Sequence, residues 1–277
     1  MNFASIMSHL RRLLVEPFFR IFYGPPLKDG IPPDPASPPD QTTAYSYPRG
    51  LVLTAGGVGG FDLCGTALRY VLGAEGVPYA IHVFPWSHGL GRWYADLTDV
   101  PNRDVKAALL AQIVRRFKSR HADVPVFLVG KSGGSAVVVQ TLEQLEENSV
   151  ARAILLAPAL SPSYDLTAAL RAVSRELVVF WSPLDVILLG LGTCVFGTAD
   201  RVRTVSAGLV GFRVPEDHAD SPAAFQRSCQ YAKLRQIKWS GRMMAAGHLG
   251  GHFGPDSPIF LKKYVLPLLR TEPAVPS

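Results

Sequence analysis

Val126-Phe127-Leu128-Val129-Gly130-Lys131-Ser132-Gly133-Gly134 sets an uninterrupted apolar run directly before a serine framed by glycines. Four consecutive apolar residues read as a strand buried on both faces, and the glycines mark its abrupt conversion into a helix. A turn that sharp crowds the backbone around its tip. The places two before and two after the serine then accept only residues without a bulky Cβ, and Gly130 and Gly134 occupy them. The serine hydroxyl is thereby held out above the sheet edge, near the positive end of the next helix.

The flanking sequence repeats the same alternation. Strands are expected at Leu51 to Ala55, Tyr79 to Phe84, Pro125 to Val129, Ala153 to Leu156, Leu177 to Phe180 and Leu234 to Trp239. Helices are expected at Thr66 to Leu72, at Asp104 to His121, from the serine turn through Leu145, at Leu166 to Val173, and at Pro258 to Leu269. Apolar strands alternating with helices specify an α/β protein with a mostly parallel central sheet covered by helices on both faces. Ligands bind such sheets beyond the carboxyl ends of the strands, where this serine would stand.

Upstream, Phe3, Ile6, Met7, Leu10, Leu13, Leu14, Phe18 and Ile21 recur at steps of three and four, so residues 1–24 read as an amphipathic helix. Both docking on the domain and peripheral membrane contact through residues 1–23 fit that pattern. No apolar run is long enough to span a bilayer, and charges interrupt any signal-peptide core, so a cytoplasmic or peripheral membrane location is expected. Residues 25–41 carry Pro25, Pro26, Pro32, Pro33, Pro35, Pro38 and Pro39 and read as a stiff linker. The folded domain is expected over residues 42–277, with an insertion around 186–230.

Of the 277 residues, 48% are hydrophobic and only 18% charged, which excludes a disordered or fibrous chain. Three cysteines, Cys64, Cys194 and Cys229, are too few and too widely spaced for a disulfide framework or a structural zinc site and are expected as free, buried thiols. The net charge of +6 invites a nucleic-acid reading, but the densest cluster, Arg115, Arg116, Lys118 and Arg120, closes an expected helix, where cations meet the negative end of its dipole. Nucleic acid is therefore not an expected partner.

A serine hydroxyl attacks a carbonyl at neutral pH only with an imidazole in hydrogen-bond reach and a carboxylate that fixes the imidazole's tautomer. With the serine on a strand-to-helix turn, the partners should follow in the order acid, then histidine, each after a later strand. Asp185 lies just beyond the strand ending at Trp181, with Asp165 as its rival. Gly247-His248-Leu249-Gly250-Gly251-His252-Phe253-Gly254 offers two histidines in one glycine-rich loop. His252 is the expected base, and His248 an alternative base or a substrate-side residue. The remaining histidines have no comparable context. An oxyanion site needs two N–H donors: Gly133, and Gly57 or Val58 from the loop Gly56-Gly57-Val58-Gly59-Gly60.

On the turn Gly130 to Gly134, the loop Gly56 to Gly60, Asp185 and Gly251-His252-Phe253, the stretch from Leu51 to Leu269 resembles the α/β-hydrolase superfamily. The resemblance implies a serine, acid, histidine triad working without metal or cofactor on a carboxylic ester or related acyl bond in a small molecule or lipid. Lys131, inside the turn, is an unusual neighbour for the serine and could bias the site towards anionic substrates. The 186–230 insertion could be a lid or a dimer surface. Trp86, His88, Trp93, Tyr94 and the run Val186 to Leu191 could line an acyl pocket. A non-catalytic member that binds a ligand or partner is the alternative. A phosphate-binding loop is weaker: Gly130-Lys131-Ser132 is preceded by a strand, with Pro125 where its first glycine belongs. The loop at Gly56 likewise lacks the clean spacing of a dinucleotide site.

Overall fold

The structure, a computed structural model, describes residues 49–215 and 222–270. The expected amphipathic helix and proline-rich linker lie outside the described residues. Six strands form one parallel sheet: β1 Leu51–Ala55, β2 Ala80–Val83, β3 Val126–Lys131, β4 Val150–Leu156, β5 Val173–Trp181 and β6 Leu234–Lys238. Their order is β2-β1-β3-β4-β5-β6, so the chain reverses its direction of travel between β1 and β3. That reversal opens a crevice at the carboxyl ends of β1 and β3, the place where a doubly wound sheet takes its ligand. The architecture is the α/β-hydrolase fold.

Side-chain alternation explains why both faces are covered. Leu51, Leu53, Val126, Leu128, Ala153, Leu155, Leu177 and Val179 face one helix layer, made by α3 (Val100–Arg120), α4 (Gly134–Glu143) and α5 (Thr167–Arg171). The intervening Val52, Phe127, Val129, Ile154, Leu156, Val178 and Phe180 face the other, made by α1 (Leu63–Ala74) and the closing helical run Pro258–Phe260, Leu261–Val265 and Leu266–Leu269. No polar face is left on the central strands, which is why the sequence reads there as continuous apolar runs.

Several helical pieces escaped the sequence reading, among them α2 (Trp93–Thr98), α6 (Thr193–Phe196) and α8 (Pro222–Tyr231). The first two are short pieces built around exposed aromatics. In the insertion, a π-helical turn at Ile187–Gly192 leads into α6, and α7 (Ala207–Val210) follows. Leu189 and Leu209 pack on Ala157 and Ala159, and the Ser182 N–H donates to the Gly208 carbonyl at 2.9 Å. The insertion is thereby fixed over the carboxyl ends of β4 and β5. Cys64 is buried as expected, but Cys194 and Cys229 are exposed, on helices that turn only part of their surface inward. Among the described residues no helix is long and apolar enough to cross a membrane.

The tightest backbone approach lies under the serine turn. A Cβ on Gly134 would stand 2.2 Å from the carbonyl oxygens of both Ala55 and Gly56, and one on Gly130 would stand 2.7 Å from the Ser135 Cα. Backbone cannot yield as a side chain can. Gly134→Ala should therefore lower the free energy of unfolding by about 1–3 kcal/mol, read as a lower urea midpoint. Gly73→Ala is the contrasting case: the added methyl in α1 meets nothing within 4 Å, and the midpoint should hold or rise, by up to about 1 kcal/mol.

Candidate active site

β3 ends at Lys131, and Ser132 takes the left-handed conformation with φ of 53°, strained for a residue with a Cβ. Neighbouring backbone holds it there. The Ser132 N–H donates to the Leu156 carbonyl at 3.0 Å, and its carbonyl accepts from the N–H of Ser135 at 3.1 Å and of Ala159 at 3.2 Å. Helix α4 starts immediately afterwards, so the side chain stands at the helix's positive end.

Asp185 lies in the turn after β5, its N–H donating to the Ser182 carbonyl at 3.2 Å and its carbonyl accepting from Leu189 at 3.2 Å. Its side chain is buried. The loop after β6 brings His252 between the two: Nδ1 lies 2.6 Å from Asp185 Oδ2 and Nε2 lies 3.0 Å from Ser132 Oγ. An ionised carboxylate can only accept, so the Nδ1 proton faces Asp185 and the Nε2 lone pair faces the serine hydroxyl. That tautomer is the one that can remove the serine proton.

The loop after β1 runs beside this chain. A Cβ on Gly57 would come within 3.8 Å of the Ser132 Cβ, and one on Gly133 would strike the Val58 side chain at 2.7 Å. Among the described residues, the N–H groups of Gly57, Val58 and Gly133 donate to no protein acceptor. Two residues absent from the sequence reading of this loop hold it in place. Trp86 Nε1 donates to the Gly56 carbonyl at 2.9 Å, and the buried Asp96 accepts from the Gly59 N–H at 2.7 Å. Asp96 also accepts from Ser87 Oγ and the His88 N–H, both at 2.7 Å. The His88 ring bridges Asp96 at 2.9 Å and Asp99 at 3.0 Å. Trp86 and His88 are thus supports of the loop rather than walls of an acyl pocket. Neither Trp86 nor Asp96 carries a motif, so their pairing with a distant loop has no signature in the sequence.

Two further expectations change. His248 is 3% exposed, its ring edge-on to Phe260 at 4.9 Å and its Nδ1 accepting from the Gly250 N–H at 3.2 Å. Burial holds its pKa down to about 4. Its ring packs against Phe260 and Gly254, and it is His252 that lies within hydrogen-bond distance of Ser132 Oγ. Lys131 is likewise buried, 5% exposed, and pairs with Asp256 at 2.6 Å, so its charge is met inside the protein rather than offered to an anionic substrate. Asp165 caps α5 through the Thr167 N–H at 2.9 Å and takes no part in the chain. His82 is buried and held down to about 4 by desolvation, while His9 and His218 lie outside the described residues.

Exposed apolar side chains flank the loops that carry these residues. Trp93 and Tyr94 pack edge-on against Phe196 at 5.5 and 6.5 Å, and Trp93 lies next to Gly59. Leu184 lies against Gly250, and Ile187, Leu191 and Phe253 are exposed. Among the described residues no group of three or more His, Cys, Asp or Glu is arranged to hold a metal ion.

The sheet order and the two helix layers are those of the α/β-hydrolase fold. Within it, residues 86–207 match the family model described as serine aminopeptidase, S33, a hydrolase family. Among solved structures, the chain is similar to the poly(3-hydroxybutyrate) depolymerase LpqC from Bordetella parapertussis at 12% identity, covering 83% of this chain and 84% of that one with a TM-score of 0.43. A putative α/β-superfamily hydrolase from Xanthomonas campestris is 19% identical over 79% of this chain and 98% of its own, with a TM-score of 0.39. The catalytic core of the Trichoderma reesei acetyl xylan esterase is 15% identical over 78% and 98%, with a TM-score of 0.38. No curated protein matches the chain.

The buried His248 links stability to pH. Its folded pKa of about 4 lies below the ordinary 6.5, so between those values the unfolded chain binds a proton that the native one refuses. The contribution is fully present above about pH 6.5 and is lost as pH falls towards 4. His248→Gln should flatten the dependence of unfolding free energy on pH across that window by up to one proton, measured by urea titrations at half-unit steps.

Proposed function

We propose that the protein is a serine hydrolase that cleaves a carboxylic ester or related acyl bond through a covalent acyl-enzyme. The observation that carries this reading is the unbroken chain from Ser132 Oγ to His252 Nε2 at 3.0 Å and from His252 Nδ1 to Asp185 Oδ2 at 2.6 Å. In the first half-reaction, Ser132 Oγ attacks the carbonyl carbon while His252 takes its proton. Asp185 stabilises the imidazolium by accepting from Nδ1. The carbonyl oxygen becomes an oxyanion, for which the N–H groups of Gly133 and of Gly57 or Val58 are the donors. His252 then returns the proton to the leaving group. Water enters on the same histidine and releases the acid.

The exposed Trp93, Tyr94, Phe196, Ile187 and Leu191 favour an apolar acyl group, since apolar surface leaves water most favourably against apolar substrate. The family model's name adds an aminoacyl amide to the substrates to be tried. Rates on nitrophenyl esters should rise with chain length from acetate to octanoate, whereas a flat or falling series would remove lipophilic acyl groups from the proposal.

Ser132→Ala and His252→Gln should each lower turnover of an activated ester by about 10³-fold or more at unchanged fold. A fluorophosphonate should label the parent at Ser132 and leave Ser132→Ala unmodified. Near-parent turnover in either variant rejects the assignment of roles.

A further inference from the structure

Lys131 is the one member of the serine turn that sequence logic does not require, and the structure gives it an elaborate setting. The side chain leaves the turn immediately before Ser132, is almost fully buried, and ends 2.6 Å from Asp256 Oδ2. The same ammonium lies 4.9 Å from the centroid of the Phe253 ring. Asp256 and Phe253 both lie just beyond His252 in the loop after β6, and the Phe253 ring packs edge-on to the His252 imidazole at 5.7 Å. The loop is rich in glycine. Its other polar ties include His252 Nδ1 on Asp185 at 2.6 Å, the Gly254 N–H on the Gly251 carbonyl at 3.0 Å, the Trp239 indole on the His248 carbonyl at 2.8 Å and Ser257 on the Ala246 carbonyl at 2.8 Å.

We propose that Lys131 is a positioning residue: through Asp256 and Phe253 it fastens the segment carrying His252 to the turn carrying Ser132, so that Nε2 stays within reach of the hydroxyl. A buried ion pair is a costly fastener for stability alone, because an apolar pair of similar volume would serve as well. What it adds is direction, since a 2.6 Å charge-assisted hydrogen bond tolerates little displacement. The remaining neighbours agree. Asp62, whose carboxylate packs against Gly56 in the loop after β1, is pushed up to about 6 mainly by burial, with Asp256 raising it further and Lys131 acting the other way. Cys64, beside them, is pushed well above its ordinary range by burial and by the same two carboxylates. Lys131 is thus the cation that faces one acid from the His252 loop and one from the Gly57 loop.

The proposal rests on the triad reading for its kinetic arm, so the experiment has a second arm that needs no turnover. The full chain is compared with Lys131→Met and with Lys131→Met/Asp256→Asn, the double variant guarding against misfolding caused by an unpaired buried carboxylate. In the non-kinetic arm, the His252 Nδ1 proton is followed by NMR, assigned with His252→Gln. Both variants should exchange it with water at least about 10-fold faster. In the kinetic arm, kcat on an activated ester should fall about 10- to 100-fold with KM within about threefold, a misplaced base costing rate rather than binding. Parent-like exchange in both variants, with reduced melting temperature alone, would reduce Lys131 to a structural ion pair and overturn the proposal. If the parent neither turns over ester nor reacts with a fluorophosphonate, the hydrolase reading fails, and the NMR arm by itself still decides whether Lys131 holds His252 in place.

Discussion

The close approach of two backbones beneath Ser132 is the constraint on which the site depends. With Gly134 pressed against the carbonyl oxygens of Ala55 and Gly56, the turn after β3 and the loop after β1 are forced together at the crevice where the sheet reverses its winding. One consequence is geometric: the Gly57 loop lies directly beside Ser132, a Cβ on Gly57 falling 3.8 Å from the Ser132 Cβ. Another is energetic. Ser132 keeps a left-handed backbone that costs about 1–3 kcal/mol, held by its hydrogen bond to the Leu156 carbonyl and by those it accepts from Ser135 and Ala159.

Around that contact, chain segments far apart in sequence are fixed by buried polar ties rather than by packing alone. Asp96 and Trp86 hold the Gly57 loop, the turn after β5 holds Asp185, and Lys131 with Asp256 bridges to the His252 loop. The imidazole therefore meets both partners at hydrogen-bond distance. Such preorganisation is what makes oriented dipoles effective, because no reorganisation is then required as charge develops. The exposed apolar side chains of Trp93, Tyr94, Phe196 and Ile187 stand outside this polar centre.

How far the sequence carried the reading differs between residues for physical reasons. Strand identity was legible because burial on both faces leaves continuous apolar runs, and β3, β4 and β5 extend these by only a few residues. The serine turn was legible because glycine is the one residue that fits its crowding. Asp185 and His252 were reachable through chain order, each following a strand whose carboxyl end had to lie at the same edge. His248 and Lys131 were not separable from substrate-facing residues by any local rule, since their burial depends on Phe260, Gly254 and Asp256, which only the fold brings near. The insertion's short helices carried too few residues for periodicity to register.

By itself, then, the sequence determined the alternation of strand and helix and the glycine-framed turn that carries Ser132, because these follow from steric and periodic rules acting within a few residues. Only the tertiary structure decided which histidine meets the serine, that Lys131 spends its charge on Asp256, and that Trp86 and Asp96 brace the Gly57 loop. Those are contacts across tens of residues. Their energies depend on burial and on distances of about 3 Å, quantities that exist only once the layers have packed.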